Sequence, residues 1–550
     1  MLNFIKNNKH LILIILITIS VICLTLNNNI SLIIDCGREA YYPQQILDGE
    51  VLYKNLFCIY GPFAYLFNAF LYKIFGINLN TLCIAGSICA LGIIITVFLI
   101  TKKLFNDIIA FNITLLSVST GVATARIFNY VFPYSFSMTY GLLSFLISVL
   151  FLINFISSQK YCHLYLSLFF AGIAITSKYE FLPYLIIYFI LFYKLKPKFI
   201  RILKSIASLS LVPILCFGFL FLQGLTLFDI QNTINIVISM TQTQTLKYFY
   251  MHSGILPHKE SVLASLVTAI FLFIPIFIYS FPKISKNKFD NRPVSFISIL
   301  LSVLFILIFK LYKMYDIFMA LPIILIICAI INYKKIINNQ ILFIVIFSAI
   351  LYSLKIFWGL ILNSYGVYYL PLVLISICAI FKDKFEEKDW NYISFFAFLL
   401  AVLIGFNNIK SFADNRICIS TQKGKIYTEK KYEKTKELLD YINKNTQRTD
   451  KIVIFPEGMM INFLSDRKTD GFYNSMLPLY EETFGINAFK EHFSKSMPEY
   501  IIFNSWNTSD YYFSIICKDY GFNFCDFVTK NYRQKIKLSG EFNYVVFEKK

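Results

Sequence analysis

The chain has 550 residues, of which 57% are hydrophobic and 15% charged, with a mean hydropathy of +0.63; a soluble domain carries about 25% charged residues. That composition excludes a soluble protein and makes this an integral membrane protein. The net charge of +19 is unevenly spread, with 30 Lys and Arg against 14 Asp and Glu in residues 1–410 and 21 against 18 in the last 140. The basic residues come in short clusters between apolar runs, where they orient helices in a bilayer, so nucleic acid is set aside as a partner.

Apolar stretches that approach the roughly 20 residues needed to cross hydrocarbon begin near Leu11, Leu79, Ile108, Phe136, Leu164, Phe181, Ile202, Val262, Val294, Tyr315, Ile341, Val367 and Ile393. They predict a polytopic α-helical protein with about thirteen transmembrane helices. The first run follows Lys6 and Lys9, as in a signal peptide, but Asn27-Asn28-Asn29 stands where a small-residue cleavage site would be, so it reads as an uncleaved anchor. With a cytoplasmic N-terminus, the inner loops hold Lys102/Lys103, Lys160, the run from Lys194 to Lys204, Lys283 to Arg292, Lys334/Lys335 and Lys382 to Lys388. That places 19 of the 30 basic residues inside, the direction the positive-inside bias requires. An odd number of helices then puts the C-terminal region outside. Ser177 to Glu180 leaves only a short outer link, and Gln223 to Glu260 has room for an interfacial helix pair. Either changes the count by two without moving the C-terminal region.

The expected organisation is a transmembrane domain over residues 1–410, with its first outer loop at 27–78, and an extracytoplasmic α/β domain over 411–550. In the latter, Thr428 is placed to cap a helix running to about Asn445, with Tyr432, Thr435, Leu438, Leu439 and Ile442 on one face. Lys451 to Phe455, Tyr500 to Phe503 and Tyr544 to Phe547 read as short buried strands. The twelve cysteines form no C-x-x-C pair; Cys36 with Cys58, or Cys517 with Cys525, could pair if the outside is oxidising.

Chemistry concentrates in the first outer loop, where Asp35, Glu39, Asp48 and Glu50 fall within sixteen residues. Asp35 follows the apolar run Ile30 to Ile34, where partial desolvation makes a carboxylate more basic, and on a helix it shares a face with Glu39. The residues alone leave two readings open: Asp35 as a base, or Asp35 as a helix cap paired with Arg38.

The stretch from Asp35 to Gly76 resembles the first outer loop of the GT-C glycosyltransferases, nearest the branch of dolichyl-phosphate-mannose protein mannosyltransferases, aminoarabinose transferases and their bacterial relatives. The matching elements are the acid after helix one, Gly37-Arg38-Glu39, Gly49 with Tyr53, Tyr60-Gly61-Pro62 and Phe75-Gly76. Ala174-Ile175-Thr176-Ser177-Lys178 is similar to a Leu-Thr-Lys segment of that family. The resemblance implies a GT-C fold and transfer of a sugar from a polyprenyl-phosphate carrier to a lipid, glycan or protein acceptor on the outer face of the plasma or inner membrane, with inversion. It implies Asp35 as general base or acceptor-orienting group, with Glu39 beside it. Attack at the anomeric carbon also needs cations for the leaving phosphate. Arg38, Arg126 and Lys178 are the candidates, with Lys310 and Lys313 at the same level; each is equally a cation snorkelling to the interface. Tyr60, Asn129 and Tyr130 are expected to shape the site or meet the acceptor.

The chain departs from that family in two places. Its second outer loop, Arg126 to Ser135, carries no acid, and Asn55 stands where relatives often have Asp. No cofactor is expected, and no divalent metal is indicated: His252 and His258, with Asp229 or Glu260, are a weak metal signal. Phe455-Pro456-Glu457-Gly458 has counterparts in bacterial relatives and reads as plain turn chemistry; if functional, it would face the acceptor. The competing functions are a transporter or flippase of lipid-linked glycans and a non-catalytic assembly partner. Transporters carry ionisable groups near the bilayer midplane and inverted repeats, whereas here the charges sit at helix ends.

Overall fold

The computed structural model describes residues 8–260, 262, 263, 266 and 318–550. The apolar run from Val294, nearly all of that from Val262, the start of that from Tyr315, the cluster Lys283 to Arg292, and Lys310 and Lys313 lie outside the described residues. Among the described residues, five helices are long and apolar enough to cross a membrane: Leu79–Leu104, Phe136–Ser158, Phe199–Leu222, Gly366–Lys384 and Asp389–Asp414. Shorter apolar helices cover Lys9–Thr25, Asp107–Val122, Tyr161–Ser177, Leu321–Ile331 and Gln340–Ile356, and one more, Phe63–Phe75, lies within the first loop. The chain is thus a mostly helical, multi-pass type of membrane protein, and among the described residues its strands lie in the C-terminal region.

Among the described residues, Phe199–Leu222 buries Ser205, Val212, Cys216 and Leu220, while Ile214 and Leu215 are among its exposed side chains; in a helix that crosses a membrane, such an apolar face suits hydrocarbon. Some polar side chains inside the bundle bond to one another. Ser148 on Phe136–Ser158 donates to the Ser167 carbonyl at 2.7 Å and lies 2.7 Å from the Tyr188 hydroxyl, tying three neighbouring segments together where water is absent.

Gln223 to Glu260 forms the helix pair Leu227–Gln242 and Gln244–His252. The second docks on the C-terminal region, where the Glu482 carboxylate accepts the Gln244 and Thr245 N–H groups at 2.7 and 3.1 Å. Between the two lies a cavity of about 740 Å³ bordered by Tyr248, Tyr512 and Phe522.

The C-terminal region begins with a hairpin, β1 (Ile417–Thr421) and β2 (Gly424–Thr428). A four-stranded sheet follows, made of β3 (Ile452–Phe455), β4 (Tyr500–Asn504), β5 (Tyr532–Leu538) and β6 (Tyr544–Lys549), in the order β3-β4-β6-β5. β3 and β4 are parallel and the other pairs antiparallel. The expected helix after Thr428 starts later, at Lys434, because Gly424–Thr428 is a strand and Lys430–Tyr432 a single 3₁₀ turn. Its buried face is Thr435, Leu438, Leu439 and Ile442, without Tyr432. Cys517 and Cys525 are disulfide-bonded, whereas Cys36 and Cys58 are free and buried.

Candidate active site

The first loop enters the site through a backbone irregularity. Asp35 has φ +52°, in the left-handed region that a non-glycine residue seldom occupies, and the helix Cys36–Leu47 starts directly after it. Its carboxylate makes no capping bond to that helix; it pairs instead with the Arg38 guanidinium at 3.0 Å. Burial pushes the Asp35 carboxyl above its usual range, and Arg38 and Lys178 pull it partly back.

Two glycines bring the chain segments into contact. A Cβ on Gly61 would lie 2.0 Å from the Thr176 carbonyl oxygen, and the Gly61 N–H donates to the Ser177 carbonyl at 3.0 Å. The Tyr60-Gly61-Pro62 turn therefore seats on the end of Tyr161–Ser177, which puts Tyr60 beside Lys178. The Tyr60 ring lies between two cations, 5.1 Å from the Arg38 guanidinium carbon and 5.3 Å from the Lys178 ammonium. A Cβ on Gly37 would lie 2.2 Å from the Met460 nitrogen, so only glycine lets the first-loop helix close onto the helix Met459–Ser465. Further bonds hold the C-terminal region on this loop: the Tyr42 hydroxyl donates to the Phe57 carbonyl at 2.8 Å and accepts from the Asn474 amide at 2.9 Å, and the Phe57 N–H donates to the Gly471 carbonyl at 3.1 Å.

The result is a cavity of about 30 Å³ bordered by Asp35, Arg38, Tyr60, Glu457, Asn474 and Tyr480. Glu457 stands in the turn between β3 and Met459–Ser465 and borders the cavity together with Asp35. Burial, followed by the charge of Asp35, pushes the Glu457 carboxyl up to about 8. The residues read at first as a turn thus put a second carboxyl into the site. The only sequence signal for it was the Pro-Glu-Gly turn after a buried strand, because the contact spans more than 400 residues of chain.

The other expected residues divide by position. Glu39 does not face the cavity with Asp35. It is fully buried, and its carboxylate accepts the Tyr65 hydroxyl at 2.7 Å, the Phe136 N–H at 2.7 Å and the Arg38 Nε at 3.2 Å. Burial pushes the Glu39 carboxyl above its usual range and the three donors pull it partly back, and together they fix the loop on Phe136–Ser158. The expected second catalytic carboxylate at Glu39 thus lies outside the cavity, with its oxygens already bonded within the protein. Lys178 is buried, ion-paired with Glu180 at 2.6 Å, bonded to the Tyr134 hydroxyl, and over the rings of Tyr134 and Tyr365. Burial pushes its ammonium down to about 8, against the pull of Glu180. Lys355, absent from the sequence candidates, shares Glu180 at 2.8 Å.

Arg126 is exposed and does not border the cavity. Asn129 and Tyr130 are fully buried away from it. The Asn129 side chain accepts the Val131 and Phe132 N–H groups at 2.8 and 2.6 Å, and the Tyr130 hydroxyl donates to the Val367 carbonyl at 2.7 Å. Both organise the second loop rather than meet anything in the cavity. The rings of His252 and His258 lie with centroids 4.9 Å apart, while Asp229 is used in the capping box of its own helix. Among the described residues, no three His, Cys, Asp or Glu side chains are grouped to hold a metal ion.

No protein-family model matches the sequence, and no curated protein matches it significantly. Among solved structures, the chain is similar to ArnT from Cupriavidus metallidurans bound to undecaprenyl phosphate, at 11% identity over 98% of each chain with a TM-score of 0.46. It is also similar to the oligosaccharyltransferase of Archaeoglobus fulgidus in complex with zinc and sulfate, at 12% identity over 90% of this chain and 68% of that one, with a TM-score of 0.48. A third likeness is to oligosaccharyltransferase AglB of the same archaeon with an inhibitory peptide and a dolichol-phosphate, at 13% identity over 91% and 70% of the chains, with a TM-score of 0.44. Likeness at these scores carries no argument about this chain's chemistry, which rests on its own residues.

Proposed function

We propose that this protein is a GT-C type glycosyltransferase of the plasma or inner membrane that moves a sugar from a polyprenyl-phosphate carrier to an acceptor on the outer face. The observation that carries the proposal is the buried cavity at the start of the first loop, where a desolvated carboxylate, Asp35, stands with Arg38 and a tyrosine shared with Lys178. Asp35 takes the proton of the acceptor nucleophile as it attacks the anomeric carbon. The bond from that carbon to the carrier phosphate breaks with its electron pair leaving on the phosphate, and a single displacement inverts the configuration. Arg38 and Lys178, with Lys355 behind them, supply positive charge for the phosphate as it departs. The apolar tail of the carrier lies along lipid-facing helices such as Phe199–Leu222. In this reading residues 1–410 form the transmembrane domain, with a cytoplasmic N-terminus, and 411–550 the outer one.

A site on the outer face has no access to cytosolic nucleotide sugars. Purified full-length protein is therefore expected to consume a polyprenyl-phosphate-linked monosaccharide and to ignore the matching UDP- or GDP-sugar. Turnover of a nucleotide sugar in the absence of any lipid carrier overturns the proposal.

A further inference from the structure

The reaction above leaves one carboxyl in the cavity without a task. Glu457 borders the cavity, and its Oε2 is buried and has no hydrogen-bond partner among the described residues. Buried polar atoms in folded proteins are nearly always paired, and an orphan needs a reason. The turn that carries Glu457 is well held: the Asn504 side chain, at the end of the parallel neighbour β4, donates to the Glu457 carbonyl, and the Ser475 hydroxyl and Met476 N–H both donate to the carbonyl of Pro456. The side chain is thus aimed into the cavity by its surroundings.

The charged groups around that cavity decide its protonation. Asp35 and Arg38 face Glu457 from the first loop, and Lys178 stands beyond Tyr60; the bordering Tyr42, Tyr60, Asn474 and Tyr480 are neutral. Arg38 is already engaged with Asp35 at 3.0 Å, Glu39 at 3.2 Å and the Tyr134 carbonyl at 2.9 Å. Two carboxyls partly desolvated beside one such cation share a proton, and the one without a cation of its own keeps it. The cavity therefore offers one hydrogen-bond acceptor, the Asp35 carboxylate, and one donor, the Glu457 carboxylic acid. A hydroxyl group, which donates one hydrogen bond and accepts others, complements that pair. An ammonium group accepts none.

We propose that Glu457 is the acceptor-binding residue of this site: its carboxylic acid donates a hydrogen bond to the oxygen of an acceptor hydroxyl while Asp35 takes the proton of that hydroxyl. The inference rests on the transfer reaction proposed above and deepens it, by naming the acceptor group as an alcohol and by making the C-terminal region part of the site. In the step, the acceptor oxygen bonds to the anomeric carbon, the bond from that carbon to phosphate breaks with its pair on the phosphate, the proton passes to Asp35, and Glu457 keeps its own.

The test uses purified full-length chain, a polyprenyl-phosphate-linked monosaccharide, and membranes of the source organism lacking this protein as the acceptor preparation. Glu457→Ala is expected to raise the acceptor concentration needed for half-maximal transfer by up to about tenfold, the scale for one lost hydrogen bond to a bound hydroxyl, with the carrier lipid still bound. Glu457→Gln restores a donor and is expected to recover most of that loss. In the wild type, the rate falls as pH rises through about 8, where Glu457 loses its proton, and in Glu457→Gln that fall moves or weakens. Lys178 loses charge in the same range; an identical alkaline fall in Glu457→Gln assigns it to Lys178 and overturns the inference. N-acetylating the acceptor preparation in water blocks amines and spares hydroxyls, so loss of transfer after that treatment also overturns it. An unchanged acceptor requirement in Glu457→Ala, or an equal rise in both variants, does the same. A wild type that consumes no polyprenyl-phosphate sugar defeats the transfer reaction itself and this inference with it, whereas an active wild type with any of those other outcomes defeats this inference alone.

Discussion

Asp35 and Glu39 are four residues apart and both touch Arg38, yet their substitution is expected to fail in opposite ways. Asp35 is partly exposed, caps nothing, and has a single ion pair at 3.0 Å. Asparagine also tolerates the left-handed backbone found there, so Asp35→Asn is expected to leave the fold intact and lower transfer by about 10²- to 10⁴-fold, the contribution of a positioned general base. Glu39→Gln keeps an oxygen for Tyr65 and Arg38 but turns an amide donor toward the Phe136 N–H, which now bonds to the carboxylate at 2.7 Å. It also strips Arg38 of a buried counter-charge at 3.2 Å. Breaking such a buried pair costs about 3–5 kcal/mol. Since each 1.4 kcal/mol is tenfold, local opening of the first loop rises at least about 100-fold. Hydrogen exchange in detergent reads this directly: amides of Cys36–Leu47 lose protection by that factor in Glu39→Gln and keep it in Asp35→Asn. Asp48→Asn and Glu50→Gln, outside the cavity, serve as controls with little change in either measure. Unchanged protection in Glu39→Gln together with lost protection in Asp35→Asn would falsify the division of roles between these two acids.

Native thiols give the orientation. Cys418, on β1, and Cys162, at the start of Tyr161–Ser177, are both exposed; with the other thiols replaced, a membrane-impermeant reagent added to intact cells is expected to label Cys418 and spare Cys162, and the reverse pattern inverts the topology. Lys178→Ala removes the ammonium that lies over Tyr60 and is expected to raise the KM for the lipid-linked donor before it alters use of the acceptor; a change confined to the acceptor removes Lys178 from the phosphate's environment. Gly61→Ala places a methyl 2.0 Å from the Thr176 oxygen, so the Tyr60 turn must shift, and activity is expected to fall with little change in the heat resistance of the C-terminal region. Acid sensitivity of that region is expected to trace to Asp470. Burial raises its carboxyl, but the His492 ring at 2.8 Å, the Tyr473 N–H and Lys451 at 3.1 Å outweigh burial and hold it well below the usual range. A depressed carboxyl stabilises the fold above its unfolded value of about 3.9 and ceases to do so as pH falls below that. Exchange protection of β3 should therefore drop in acid in the wild type, and be low and insensitive to pH in Asp470→Asn.

Much of this protein was legible in its sequence because the features concerned are local. A long apolar run in hydrocarbon forms a helix, since its backbone groups must bond within their own segment, and Leu79–Leu104 or Phe136–Ser158 needs no distant partner to be recognised. The strands Ile452–Phe455 and Tyr500–Asn504 declare themselves in the same way, by short β-branched and aromatic runs. By contrast, β5, with Arg533, Lys535 and Lys537 facing outward, hides in polar alternation, and the β1–β2 hairpin took the place of a helix start because Thr428 has the side chain of a cap in either setting. In the site, the cluster of acids after the first helix marked the place, but not which acid does what. Spacing puts Asp35 and Glu39 on one helical face, whereas packing encloses Glu39 with three donors and leaves Asp35 at the cavity. Lys355 was beyond reach, and Glu457 showed only as a turn, because their neighbours are far away in the chain and are brought in by close contacts at Gly37 and by Glu180. Helical periodicity is written in the order of residues; which carboxyl keeps its proton depends on the charges that folding sets beside it.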